Sequence, residues 1–178
     1  AAGRSGGIMA NQKFPADLIY DNLMTECNVI NSAHKHGVSK LLYLASSCVY
    51  PKHCPQPMRP DSLMTGKLEP TNEPYAVAKL AGLQLCQAYR SQHGADFICG
   101  IPADAFGPGA HFDPQDSHVI PALIYKMHEA RVNEIDSVEL WGTGKPEREF
   151  IYADDIADAC VFVMTAYSGG EPINLGGG

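Results

Sequence analysis

"LLYLASSCVYP", Leu41 to Pro51, decides the fold. The run is apolar without polar alternation up to Ala45, the pattern of a strand buried on both faces. A strand is therefore expected over Lys40 to Ala45. It stops abruptly at Ser46, Ser47 and Cys48, where two hydroxyls and a thiol follow one another. In an open parallel sheet, ligands collect at the carboxyl ends of the strands. These side chains are expected on that rim.

The flanking sequence supplies the other layers. Asp17 to His36 has helical spacing, with Leu18, Ile19, Leu23, Met24, Cys27, Ile30 and Ala33 on one broad face and Gly37 as the stop. Pro51 to Thr71 is rich in proline and glycine and reads as a loop. Glu73 to Gln92 reads as a helix, with Pro74 suited to its first turn. Asp96 to Ile101 reads as a second buried strand ended by Pro102. A loop from Gly107 to Asp116 and a helix from His118 to Arg131 follow. Short strands are expected at Val138 to Trp141 and Glu149 to Tyr152. A helix over Ala153 to Ala166 opens with Asp154 and Asp155, which favour its N-terminal dipole. Pro172 to Leu175 is the last expected strand. Helices alternating with apolar strands predict an α/β fold with a partial doubly wound, Rossmann-type parallel sheet.

The 178 residues suffice for one core. The formal charge of −7 argues against nucleic acid or an anionic membrane as the main partner. No apolar run reaches the roughly 18 residues of a membrane span. The six cysteines show no C-x-x-C pair and no zinc spacing, which suits a reduced, cytoplasmic protein without a metal site. Cys27, Cys86, Cys99 and Cys160 read as core residues, and Cys54 has no assigned role. "AAGRSGGIMAN" is glycine-rich, but no strand precedes it and the G-x-G-x-x-G spacing is missing. It reads as a loop leading into the first helix.

"YAVAK" places Tyr75 and Lys79 four residues apart, on one helical face. An ammonium beside a phenol favours the phenolate and lowers a pKa that is ordinarily about 10. Such a tyrosine can exchange a proton with a substrate oxygen near neutral pH. A serine hydroxyl from the strand end can bond the same oxygen.

The segments "PADLIYDNLM", "SSCVYPK", "LEPTNEPYAVAK", "DSHVIPALI", "WGTGKPEREFIYADDIADA" and "INLGGG" together resemble the extended short-chain dehydrogenase/reductase family. The resemblance implies an NADP(H)-dependent enzyme acting on a GDP-sugar, by 3,5-epimerisation and 4-keto reduction of GDP-4-keto-6-deoxy-D-mannose. It matches Ser46, Tyr75 and Lys79 to the family's catalytic set and Cys48 and His118 to the pair that moves protons at carbons 3 and 5. A thiol with a pKa near 8.5, lowered by a positive neighbour, suits a base, and a histidine near 6.5 suits the acid on the opposite face. A thiol at position 48 argues against a 4,6-dehydratase, which carries an acidic residue there.

The same resemblance implies cofactor contacts at Tyr75, Lys79, Pro102, Asp104 and His118, and substrate contacts at Val119, Lys126, Trp141 and Arg148. Asp104 stands where the family usually has Asn, and "AAGRSGG" is one residue longer than the family's A-A-x-V-G-G. The implied organisation is a later part of the NADP-binding domain over 1–106, a small substrate-binding portion over 107–149 and a return to the sheet over 150–178. The chain would begin after the family's fourth strand, without the phosphate loop. A homodimer through the helices Asp17 to His36 and Glu73 to Gln92 is also implied. Other readings stand beside these. Trp141 also suits a core plug, and Arg148, between Glu147 and Glu149, a salt-bridged surface residue. The chain also suits a sugar-nucleotide binding or assembly module without autonomous cofactor binding, or another NDP-sugar epimerase/reductase.

Overall fold

The structure, a computed structural model, describes residues 3–113 and 117–177. The end of the expected loop (114–116), the first two residues of "AAGRSGG" and the last glycine of "INLGGG" lie outside the described residues.

The apolar run forms β1 (Lys40–Leu44), which pairs in parallel with β2 (Asp96–Pro102) from Lys40↔Asp96 to Leu44↔Gly100. The far half of β2 pairs in parallel with β5 (Ile173–Leu175). Side chains alternate across this sheet, and both faces are covered. Tyr43, Phe97 and Cys99 meet Ile30 of α2 (Pro15–Lys35) and Leu83 and Cys86 of α3 (Glu73–His93). On the other face Ile98 and Leu175 meet Val163 of α5 (Ala153–Ala166), with Leu42 and Leu44 packed alongside. This is the expected doubly wound arrangement. Phe97, Ile30, Leu83 and Ile98 are essentially fully buried. Each such side chain contributes about 1.5–3 kcal/mol of burial.

Local chemistry sets the helix ends. Pro15 and Pro74 occupy first-turn positions of α2 and α3, and Gly37 and Gly94 turn the chain out at φ +66° and +68°. The buried stripe of α2 is Leu18, Asn22, Glu26, Ile30 and Ala33, at near-i+4 spacing. The broad face expected from the apolar residues is therefore corrected: Met24 and Cys27 point to solvent. Cys27 follows Glu26 and lies about 100° round the helix from it. Cys86 and Cys99 are core residues, Cys160 is half-buried, and all six thiols are free.

Three elements differ from expectation. A short helix, α1 (Ile8–Lys13), follows the glycine-rich start, its first turn tied by Asn11 Nδ2 donating to the Gly6 and Gly7 carbonyls at 2.9 and 3.0 Å. A strand β3 (Asp104–Phe106) pairs in parallel with β4 (Phe150–Tyr152). The chain between them, which includes α4 (Val119–Val132), thus leaves from and returns to one strand pair. The strand expected at Val138 to Trp141 does not form. Leu140 and Trp141 are 57 and 62% exposed. The Glu139 carbonyl accepts from Lys126 Nζ at 3.2 Å instead of from a ladder, and Gly142 and Gly144 turn the chain at φ +86° and +71°. Among the described residues no helix is long and apolar enough to cross a membrane.

Candidate active site

The ladder outlasts β1 by one bond, Ala45 N–H to the Gly100 carbonyl at 2.9 Å. Ser46 is extended (φ −155°, ψ 152°), and Ser47–Val49 then forms a single 3₁₀ turn. The Ser46 carbonyl accepts from Val49 N–H at 3.0 Å, which closes the turn. Ser46 and Cys48 are therefore held on the carboxyl rim of the sheet by backbone geometry. Ser47 turns away and donates to Asp104 Oδ1 at 3.4 Å.

Tyr75 arrives from the first turn of α3. Its phenol faces the Ser46 hydroxyl, which also interacts with the Cys48 thiol. Three of the expected residues are thus brought together, with Ser46 near both of the others. Burial pushes the Tyr75 pKa up, the nearby Cys48 and Glu26 add to the rise, and only the Ser46 side chain opposes it. The expected lowering by Lys79 is corrected, because that ammonium is engaged elsewhere. Lys79 Nζ lies 2.9 Å from Glu26 Oε1 and donates to the Leu44 carbonyl at 3.3 Å. The Cys48 pKa also departs from expectation. It is pushed up to about 11 from an ordinary 9.0, by burial first, with Asp104 adding to the rise; Ser46, Lys79 and a backbone hydrogen bond pull the other way.

The floor under Lys79 is Tyr43. Its ring centroid lies 5.2 Å from Nζ, and its hydroxyl donates to the Lys79 carbonyl at 3.1 Å. This approach needs Gly82, since a Cβ there would fall 2.4 Å from Tyr43 Cζ and Oη. The glycine-rich start also approaches the ammonium. A Cβ on Gly3 would lie 3.7 Å from Lys79 Nζ and 2.9 Å from Asn22 Oδ1. Asn22, fully buried, latches this segment to α2, accepting from Arg4 N–H at 3.1 Å and donating to the Arg4 carbonyl at 2.8 Å.

A cleft of about 640 Å³ is lined by Arg4 to Gly6, Phe106, Gly107 and His118, while Ser46, Cys48, Tyr75 and Lys79 do not line it. His118 is exposed, and among the described residues no hydrogen bond or ion pair joins it to Cys48. Pro102, the last residue of β2, and Asp104, the first of β3, are half-buried, and β3 leads into the cleft. Of the expected substrate residues, Lys126 and Trp141 meet, Nζ lying 4.4 Å from the indole centroid. Trp141 is thus no core plug. Val119 opens α4 and is 49% exposed. Arg148 is exposed and donates to the Glu147 carbonyl at 2.7 Å.

Close approach of backbone to Lys79 at Gly3, and a cleft continuing from it, are the features a dinucleotide's nicotinamide half needs. Tyr75, Lys79 and the Gly3–Gly7 segment fit such a group. One buried ionic side chain escaped the sequence reading. Glu26 lies on the Leu18–Ile30 stripe, and a carboxylate repeating at i+4 within an apolar stripe was the signal for it.

The family model described as the NAD dependent epimerase/dehydratase family matches residues 1–176. GDP-L-fucose synthase 1 of Arabidopsis thaliana is 56% identical over 178 residues, covering 100% of the chain and 55% of that protein. GDP-L-fucose synthase of Escherichia coli K12 is 51% identical over 164 residues, covering 92% of the chain and 51% of that protein. The chain spans about half the length of the curated relatives it matches. A crystal structure of a GDP-L-fucose synthetase from Naegleria fowleri bound to NADP superimposes with a TM-score of 0.87 at 31% identity, covering 99% of the chain and 58% of that chain.

Proposed function

The chain belongs to the NAD dependent epimerase/dehydratase family, and from that premise we propose that it carries the catalytic residues of an NADPH-dependent GDP-L-fucose synthase. The observation that carries this reading is the rim on which the Ser46 hydroxyl faces both the Tyr75 phenol and the Cys48 thiol. Two chemistries then share one ketone.

A hydrogen next to the 4-keto group is acidic enough for a modest base. Cys48, as thiolate, takes it from carbon 3 or 5, and His118 returns a proton on the opposite face. In the reduction, Tyr75 donates its phenolic proton to the 4-keto oxygen while Ser46 hydrogen-bonds the same oxygen. A raised Tyr75 pKa keeps that proton in place until it is needed. Lys79 then stabilises the phenolate left behind. NADPH, when bound, supplies the hydride to carbon 4; Tyr75, Lys79, Pro102, Asp104, His118 and the Gly3–Gly7 backbone would hold it.

Residues 107–149 are assigned to the GDP-sugar. Trp141 offers an exposed indole face for the guanine, with Lys126 and Arg148 for the diphosphate and Val119 beside them. The outward faces of α2 and α3 expose Tyr20, Met24, Val29 and Val77, which supports a homodimer through these helices. Six free thiols favour a cytoplasmic setting.

The full gene product is incubated with GDP-4-keto-6-deoxy-D-mannose and NADPH, and the product is identified by NMR. GDP-L-fucose is expected. Absence of NADPH oxidation with that substrate removes the assignment and leaves a binding or assembly module. Sedimentation of the same sample tests the dimer.

A further inference from the structure

Glu26 is a buried carboxylate that the reaction above does not use. It is 5% exposed, and its partner Lys79 is 7% exposed. The pair joins α2 to α3 at 2.9 Å, and Lys79 Nζ also reaches β1 through the Leu44 carbonyl. The Lys79 ammonium compensates this carboxylate, and the Tyr43 phenol lies beside it. Desolvating two charges costs more than their attraction returns unless the geometry is supplemented by further hydrogen bonds. An apolar pair would fill this space at no such cost. The arrangement therefore points to control of the lysine.

We propose that Glu26 is a positioning residue, which holds the Lys79 ammonium at the junction of α2, α3 and β1 and sets its reach toward Tyr75. The inference rests on the roles given above to Tyr75 and Lys79. Two facts narrow what the ammonium can do. The Tyr43 ring centroid lies 5.2 Å from Nζ, and a Cβ on Gly3 would come to 3.7 Å from it, so ring and glycine segment both crowd the ammonium. The titratable groups facing Glu26 are Tyr43 from β1 and Tyr75, Lys79 and Cys86 from α3. Tyr75 is faced in turn by Ser46 and Cys48, and Cys48 by Asp104. Of these, Glu26 is the group ion-paired with Lys79. A reductase that must present Tyr75 as a proton donor benefits from that pairing, which keeps the ammonium from drawing the phenolic proton off beforehand.

The test uses the full gene product labelled with tyrosine carrying ¹³C at the ζ carbon, with Tyr75→Phe for assignment. In Glu26→Gln the carboxylate that raises the Tyr75 pKa is gone and Lys79 is released. The Tyr75 resonance should titrate at lower pH than in the native protein. The alkaline fall in kcat should move the same way, by up to about one pH unit. KM for the sugar nucleotide should stay within about twofold, since no substrate contact changes. Glu26→Asp keeps the charge and retracts the anchor by one methylene. It should leave the titration near its native position and lower kcat several-fold. A Glu26→Gln titration and pH profile superimposable on the native ones overturns the inference. If Glu26→Gln does not fold, a native kcat in Glu26→Asp overturns it. If Tyr75→Phe retains native kcat, the functional assignment fails instead, and the NMR titration still decides the role of Glu26.

Discussion

The Cys48 thiol is held as a thiol by its surroundings, and this makes a quantitative claim about epimerisation. Its pKa stands at about 11 against an ordinary 9.0, with burial as the main cause and Asp104 contributing. At pH 8 a group at 11 is thiolate in roughly one molecule per thousand, and a group at 9 in roughly one per ten. Burial thus holds proton removal back about a hundredfold at that pH. If the thiolate is the base, exchange of carbon-bound hydrogen should rise about tenfold per pH unit between pH 7 and 10. The perturbation is Asp104→Asn, which restores the amide usual in the family. It removes one like-sign charge from the thiolate's surroundings while keeping a group that Ser47 can reach. The exchange curve should move to lower pH, so exchange at pH 8 becomes faster in the variant. The assay is deuterium entering the sugar nucleotide from D₂O, followed by proton NMR without NADPH. Exchange independent of pH from 7 to 9.5, or a variant slower than native at pH 8, would refute the reasoning.

Gly82→Ala places a Cβ 2.4 Å from the Tyr43 ring. The helix gains about 1 kcal/mol of propensity, but overpacking costs about 1–3 kcal/mol and the Tyr43 hydrogen bond about 1 kcal/mol. The net loss should lower Tm by a few degrees and reduce kcat with it; a raised Tm with native kcat would show that the ring moves freely. Trp141→Ala should raise KM for the GDP-sugar about tenfold with little change in kcat, as loss of base stacking does; an unmoved KM takes Trp141 out of the nucleotide site. Cys48 also ties stability to pH. Because its folded pKa, about 11, lies above the ordinary 9.0, its contribution is complete below about pH 9 and is lost as pH rises through 11. Urea titrations of native and Cys48→Ala proteins should diverge in alkaline slope over that window, and parallel slopes would contradict the raised thiol pKa.

Most of the layered fold was legible because it rests on local signals. An unbroken apolar run, helical spacing and the first-turn Pro74 marked β1, β2, α2, α3 and α5 with ends near those observed. The misses depend on partners far away in sequence. β3 is three residues long and exists because Phe150–Tyr152 lies beside it. Val138 to Trp141 had strand composition but pairs with no strand among the described residues. Ser46, Cys48, Tyr75 and Lys79 were legible as residue types, while their electrostatics were not. The sequence reading placed Lys79 beside Tyr75 and drew both acidic groups' pKa values down. Glu26, a turn-by-turn neighbour only in the folded α2–α3 pair, takes the ammonium, and burial drives both values up. Spacing cannot report burial of a charge against a second helix.

The central claim is that one rim carries two separable proton chemistries. Its most direct measurement is a pair of variants, Cys48→Ser and Tyr75→Phe, assayed side by side for deuterium uptake into GDP-4-keto-6-deoxy-D-mannose and for NADPH oxidation. Cys48→Ser should lose deuterium uptake, by at least about a hundredfold. Tyr75→Phe should keep the uptake and lose NADPH oxidation by a similar factor. Native deuterium uptake in Cys48→Ser, or loss of both activities together in Tyr75→Phe, would contradict the division of labour between the thiol and the phenol.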